Sequence, residues 1–439
     1  MRTAASPTPE TVRLLELARA HLPGGGIWTF STRPAGFGTT LDAPDFLIDR
    51  GKGAYVWTTD GERLLDLVLG SGTVLVGHAH PEVVAAVTAQ VARGANYSHL
   101  SAPVAELAAR ICALVPCAEK VRFFNSGTEA WGVALRALRA HSGRDTILKF
   151  EGAFHGGNDA TLFNTNFGDV ATWAPAPHPT PDTPGTVESE GLNVVTAPYD
   201  DIDATRAIAL ARRDDLAAIL CEPVMRGIAA RPGFLEGLRT LADELHVPLV
   251  FDEVITGFRL ALGGAQAFYG VTPDMAVFGK ALGSGYPIGV IAGTEEAMLP
   301  LDPQAPDGIR VVAEGSTLAN PITMTAGLAT LDILARPGVY PQLHAWGERL
   351  GEGLRDAFAR HGRTIQLTGV GPIVEFYVSD TPVHDYRTAQ ATDKRLKGVL
   401  AQGMRSHGVF GGGGRYNCSL AHDDAELALM LEAVDGILG

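Results

Sequence analysis

Cysteine is scarce: the 439-residue chain has four, Cys112, Cys117, Cys221 and Cys418. That is too few and too scattered for a disulfide framework, and no two stand at the CxxC spacing of a zinc or redox pair. No apolar run approaches the ~18 residues that a membrane-spanning helix needs. The N-terminal stretch MRTAASPTPETVRLLELARA lacks the apolar core of a secretory signal and reads as an amphipathic helix. The expected compartment is therefore the cytoplasm. Basic charge is in deficit, with 35 Lys+Arg against 49 Asp+Glu and a net charge of −14. General binding to nucleic acid or to an anionic membrane, both of which need a basic surface, is not expected. No fixed-period repeat is present, which argues against a solenoid or propeller.

What is there is an ordinary globular composition, 46% apolar and 19% charged, and enough chain for two or three domains at roughly 100–200 residues each. Residues 11–22 have helical periodicity that stops at Pro23-Gly24-Gly25-Gly26. Residues 54–69 read as two strands joined at Asp60-Gly61. From about 80 to 325, short apolar runs alternate with helical patterns. The strand candidates are 120–124, 146–150, 217–221, 247–251, 275–279 and 288–292; the helix candidates are 81–93, 103–114, 128–141 and 234–246. Strands apolar throughout are those of a buried, mainly parallel sheet, so the fold class is α/β. Residues 164–190, rich in Pro, Thr and Asp, break the alternation as a connector or a functional lid would. A long amphipathic helix at 342–360, strand-like 364–378 and a helix near 423–438 form a smaller α/β unit, with a boundary near residue 328.

Three places carry chemistry. Asn125-Ser126-Gly127-Thr128-Glu129-Ala130 follows the strand VRFF and opens a helix. Such a turn offers free backbone N–H groups, the positive end of the helix dipole and two hydroxyls to an anion; a plain N-cap is the competing reading. Asp252 stands at the end of the strand VPLVF, where carboxylates of open α/β sheets face the ligand crevice; a helix cap or a magnesium ligand is the alternative. Lys280 follows the strand MAVFG among small residues, where desolvation lets a neutral amine attack a carbonyl; the alternative is a solvated surface lysine. Each signal is weak alone. In order, with Phe154-His155-Gly156 between the first two, they supply an anion cradle, a ring-stacking partner, a carboxylate for a pyridinium nitrogen and a Schiff-base amine, which are the needs of pyridoxal phosphate.

The sequence resembles the class III aminotransferases of fold type I, and within them the glutamate-1-semialdehyde aminomutase-like subgroup. The resemblance runs over nearly the whole chain: Gly77-His78-Ala79-His80-Pro81-Glu82, NSGTEA at 125–130, KFEGAFHG at 149–156, Glu222-Pro223-Val224, FDEVITGFRLALGGAQAFYGVTPD at 251–274, GKALGSGYPIG at 279–289, Asn320-Pro321 and 381–386. The 251–289 block is the most specific. The resemblance implies a large domain at 76–328 with a mainly parallel sheet, and a small domain from 329–439 packed with the N-terminal segment 1–75. It implies that Ser126, Gly127 and Thr128 hold the cofactor phosphate, Phe154 stacks on the ring, Val254 packs on its other face, Asp252 pairs with the ring nitrogen and Lys280 is the Schiff-base lysine. It implies that Ser316, or Thr317 if the alignment shifts by one, reaches the phosphate of a neighbouring subunit in a homodimer.

Departures cluster on the substrate side. Phe154 stands where the family often has Tyr, Gly227 where the aminomutase has Asn, and Ser71 where it has a pocket Trp. The segment 27–33, containing Trp28 and Arg33, and the Gly411–Tyr416 stretch also differ. Trp28, Arg33 and Arg415 are the candidate substrate contacts, an Arg being suited to a carboxylate; Arg259 is as well suited to a structural role. His78, His80 and His155 are not spaced as a metal site, and no metal is expected. The expected activity is ping-pong transfer of an amino group between an amino acid or amine and a keto acid or aldehyde. The rivals are the aminomutase reaction itself, which yields 5-aminolevulinate, and a catalytically idle cofactor-binding protein.

Overall fold

The computed structural model describes residues 7–26, 46–165, 179–411 and 414–439. Two compact units are present: residues 82–340 with 384–390, and residues 1–81 with 341–383 and 391–439. The helix Pro321–Leu334 belongs whole to the larger unit, since Met324, Ala326, Leu331 and Ile333 on it are buried. Tyr340 stays with that unit too, its hydroxyl donating to Phe258 O at 3.0 Å. The division therefore falls at 340/341, twelve residues beyond the expected 328.

The larger unit is built on seven strands: β1 Lys120–Phe124, β2 Thr146–Phe150, β3 Val194–Ala197, β4 Leu216–Cys221, β5 Leu249–Glu253, β6 Met275–Gly279 and β7 Gly289–Gly293. Their order across the sheet is β1-β7-β6-β5-β4-β2-β3. All neighbours pair in parallel except β7, which runs antiparallel to β6 and β1. The reason is length: residues 280–288 are too few for the crossover of about a dozen that a parallel partner needs. β2, β4, β5, β6 and β7 are buried along their whole length, as the unbroken apolar runs of β4, β6 and β7 require.

Two strands differ from expectation. β5 occupies 249–253 rather than 247–251. Pro248 has no N–H to give to a ladder, and the strand continues through Asp252 and Glu253 because buried donors meet both carboxylates. Glu253 takes Thr256 Oγ1–H and Gln266 Nε2–H, each at 3.0 Å. β3, only four residues between Asn193 and Pro198, is too short to announce itself.

In the smaller unit, Tyr55–Thr58 and Arg63–Asp66 pair antiparallel around Gly61, whose φ of +82° suits a residue without Cβ. Ile48–Lys52 and Val409–Phe410 complete a four-stranded sheet. The expected strand 364–378 is three short strands, Ile365–Leu367, Ile373–Val374 and Phe376–Val378. Leu350, Leu354 and Phe358 of the helix Val339–Arg360 pack in one core with Phe376 and Met430. The last helix, Asp424–Leu438, starts with a capping box of Asp423 and Glu426. No helix among the described residues is long and apolar enough to cross a membrane.

Candidate active site

The turn after β1 is built from the backbone. Ser126 is the N-cap of the helix Gly127–Ser142, its Oγ accepting Glu129 N–H at 3.1 Å. Glu129 reaches back to take Asn125 N–H at 2.8 Å. The N-cap reading and the anion reading thus coexist: the cap uses a lone pair of Ser126, while its O–H and the first-turn N–H groups of Gly127 and Thr128 lie outside the helix ladder. Ser126 and Thr128 are exposed. Small residues hold this turn close to its neighbours. A Cβ on Gly289 would lie 2.1 Å from Ser126 O, one on Gly156 2.8 Å from Thr128 Cα, and one on Gly127 3.1 Å from Val254 Cγ2.

Val254 joins the turn to the carboxylate. Its N–H donates to Asp252 Oδ1 at 3.0 Å, and its Cγ1 is 3.6 Å from where a Cβ of Gly279 would stand, one residue before Lys280. Asp252 is 5% exposed. Its Oδ2 meets two groups, Trp131 Nε1–H at 2.7 Å and His155 Nδ1 at 2.8 Å. His155 is fully buried and its Nε2 has no partner among the described residues. Glu222, also buried, takes Phe154 N–H at 2.7 Å. Burial first, and the nearby charge of Asp252 second, push its carboxyl above the usual range.

Lys280 opens a short 3-10 turn directly after β6 with φ +40°, a left-handed conformation that non-glycine residues rarely adopt. The Phe154 ring is 39% exposed beside the buried His155. The loop carrying both is tied to the phosphate-type turn, because Gly157 N–H donates to Thr128 Oγ1 at 3.2 Å and Asn158 Nδ2 to Thr128 O at 3.0 Å. Thr317 Oγ1 accepts Asn125 Nδ2–H at 3.0 Å, and Ser316 O accepts Asn96 Nδ2–H at 2.8 Å. Of the two, Thr317 has its hydroxyl beside the turn within its own chain.

One end of this assembly thus offers hydroxyls and helix N–H groups, and the other a buried anion; an amine at a strained strand end and an exposed aromatic ring lie on the segments joined to them. That donor set fits the phosphate, the ring nitrogen, the aldehyde and the ring face of pyridoxal phosphate. Arg415 lies in the smaller unit, and Trp28 and Arg33 lie outside the described residues. Arg259 is fully buried with Nε–H on Ile255 O. Gly227 has φ +86° and Arg226 φ +53°, both positive, as the two-residue turn between Val224–Met225 and Ile228–Ala229 requires. Sequence reasoning missed Trp131. The signal was a tryptophan on the buried face of the helix that opens at the anion turn, where a buried indole N–H needs a partner.

Residues 39–420 match the family Aminotransferase class-III. The chain is 36% identical over 437 residues to glutamate-1-semialdehyde 2,1-aminomutase 2 of Brevibacillus brevis, covering 97% of each chain. It resembles the crystal structure of an omega-transaminase from Sphaerobacter thermophilus, with 32% identity, TM-score 0.89 and coverage of 99% and 98%. A β-phenylalanine aminotransferase from Variovorax paradoxus is similar at 28% identity and TM-score 0.84, over 98% and 93% of the two chains. A family match across most of the sequence, joined to a doubly wound sheet that carries the anion turn, carboxylate and lysine at its strand ends, makes this chain a fold type I, pyridoxal-phosphate-dependent enzyme belonging to the class III aminotransferases.

Proposed function

We propose that the chain is a transaminase that works by a ping-pong exchange between an amino acid or amine and a keto acid or aldehyde, with Lys280 and Asp252 as its catalytic residues. When bound, pyridoxal phosphate supplies an aldehyde that takes up amines and a ring that withdraws electrons. Ser126, Gly127 and Thr128 bind its phosphate by hydroxyl and backbone N–H. Phe154 and Val254 hold the two ring faces, and Asp252 holds a proton on the ring nitrogen. Lys280 Nζ would anchor the aldehyde and, as a free amine, would carry the proton that leaves the substrate carbon. The observation that carries this reading is the buried carboxylate of Asp252, hydrogen-bonded by Trp131, His155 and Val254 and, among the described residues, by no Lys or Arg side chain: an uncompensated buried anion is costly unless a cation completes it.

Arg33, Arg415 and Trp28 are the proposed substrate contacts. The aminomutase reading has its own support in the 36% identity to the Brevibacillus brevis protein. Transamination is preferred because Gly227 and Ser71 leave the expected Asn and Trp side chains off the substrate side. A homodimer is proposed as the working form, with Ser316 and Thr317 near the partner's phosphate. Tyr97, Leu100 and Val312 are exposed apolar residues in the two segments joined by the Asn96–Ser316 bond, a surface that a second copy would cover. The proposed compartment is the cytoplasm, where four cysteines outside any disulfide would stay reduced.

Borohydride reduction of the loaded enzyme followed by peptide mapping is expected to put the cofactor on Lys280; a label elsewhere, or none, overturns the assignment. A half-reaction screen against a panel of amines, read by cofactor absorbance, should then find the donor. Formation of 5-aminolevulinate from glutamate 1-semialdehyde at a robust rate, with no added acceptor, would decide for the aminomutase.

A further inference from the structure

We propose that Trp131 is a positioning residue for Asp252, one that fixes the carboxylate so that a single lone pair of Oδ1 is left to face the cofactor's ring nitrogen. This deepens the reading above and rests on the assignment of Asp252 to that nitrogen.

An ionised carboxylate has about four lone-pair sites, two on each oxygen. Oδ2 uses both of its sites, on Trp131 Nε1–H at 2.7 Å and on His155 Nδ1 at 2.8 Å. Oδ1 uses one, on Val254 N–H at 3.0 Å. One acceptor site on Oδ1 remains among the described hydrogen bonds. The arrangement also fixes the proton on His155: an ionised Asp252 requires Nδ1 to donate, so the ring is the Nδ1–H tautomer and its buried, unpartnered Nε2 is a bare lone pair. A charged imidazole would bury an unmatched N–H at higher cost. The trio therefore carries one negative charge, to be matched by a protonated ring nitrogen.

Trp131 is suited to the task by rigidity. It is fully buried within the apolar face of the helix Gly127–Ser142, one turn after Ser126, and its ring lies 4.9 Å from that of His155. The same helix thus presents its first turn to the phosphate end and its indole N–H to the ring end. An indole donates without carrying charge, so it stabilises the anion without neutralising it. The titratable neighbours of Asp252 are His155, Glu222 and Cys221; of the two side chains that bond its Oδ2, the indole is the donor that pH cannot switch.

Wild type, Trp131→Phe and Asp252→Asn proteins, each reconstituted with pyridoxal phosphate, separate the possibilities. In W131F the carboxylate loses a donor and holds a proton more tightly, leaving the ring less positive. The pH midpoint of the cofactor's visible band should rise by about one unit. The half-reaction rate should fall about tenfold while the apparent affinity for the amino donor stays within about twofold. Titration and rates superimposable on wild type would overturn the proposal. If D252N also matches wild type, the ring-nitrogen assignment itself falls; if D252N collapses while W131F does not, only the role of Trp131 falls. Should W131F fail to fold, indole NMR of the cofactor-free wild type and D252N still decides. One of the five tryptophan N–H signals should move strongly upfield in D252N, and no such movement overturns the proposal.

Discussion

The proposed phosphate end and the proposed ring end of the site are made in opposite ways. The phosphate end, Ser126 to Thr128, is exposed and backbone-built. Its donors are helix N–H groups that any residue would supply, and its side chains are small hydroxyls open to water. The ring end is a buried knot of side chains, in which Asp252 meets His155 and Trp131 and the buried carboxyl of Glu222 feels the charge of Asp252. The first arrangement needs room; the second needs particular residues. Substitution should therefore be graded at the phosphate end and severe at the ring end.

The sharpest break of that contrast is Asp252→Ala. It removes the anion proposed to match the ring cation and leaves the Trp131 and His155 donors buried without that acceptor. Loss of one well-placed charge partner costs about 10²–10³ in kcat or more, and the orphaned donors cost about 1–3 kcal/mol each. Steady-state rates and thermal melts of the loaded and cofactor-free protein should show both losses; melts unchanged by the substitution would mean that the knot does not bind as described.

Gly289→Ala comes next and tests whether room is what the phosphate end needs. The new Cβ would stand 2.1 Å from Ser126 O, so β7 or the turn must move. Overpacking of this kind costs about 1–3 kcal/mol. The cofactor's dissociation constant, measured by fluorescence, should rise at least tenfold although no side chain that touches the cofactor has changed. Ser126→Ala should do less: it removes an N-cap, worth about 1 kcal/mol, and one phosphate donor, leaving the backbone donors in place. A several-fold loss of cofactor affinity with kcat nearly unchanged is the expected result. A loss as large as that of Asp252→Ala would erase the distinction between the two ends.

The same contrast decides what was legible in the sequence. The parallel sheet was, because β4 and β6 are uninterrupted apolar runs. So was the placement of the 125–130 turn, Asp252 and Lys280 at strand ends, because each combines a strand end with a residue type out of place there. Trp131 and the pairing of His155 with Asp252 were not. A buried side-chain knot joins residues 121 and 97 positions apart, and nothing local distinguishes a tryptophan that packs from one that also donates. β5 was misplaced by two residues for a related reason: Asp252 and Glu253 end a strand by polarity, and only the distant donors that meet them explain why the strand goes on.

The smallest effect tests whether the two ends share a support. Lys149 on β2 is fully buried, its Nζ 2.9 Å from Thr161 O, 2.7 Å from Phe163 O and 2.8 Å from Thr165 Oγ1. Two carbonyls and the Thr165 hydroxyl oxygen accept from the amine, and none of the three is an anion that would hold its charge. Burial accordingly pulls the lysine down to about 7 from 10.5. Thr161 in turn donates its hydroxyl toward His155 O, Gly156 O and Asn158 O, within the loop that touches both Thr128 and Asp252. The sign follows from proton counting. Between pH 7 and 10.5 the unfolded chain holds a proton on this lysine that the folded chain has released, so its contribution to stability rises with pH across that window. In Lys149→Met that rise disappears. The melting temperature of wild type minus that of the variant, both cofactor-free, should grow by roughly 2 °C or more from pH 7 to pH 10. A difference that stays flat or shrinks would mean that the amine remains charged in its pocket, and that the loop between the two ends is held by an ion rather than by a neutral donor.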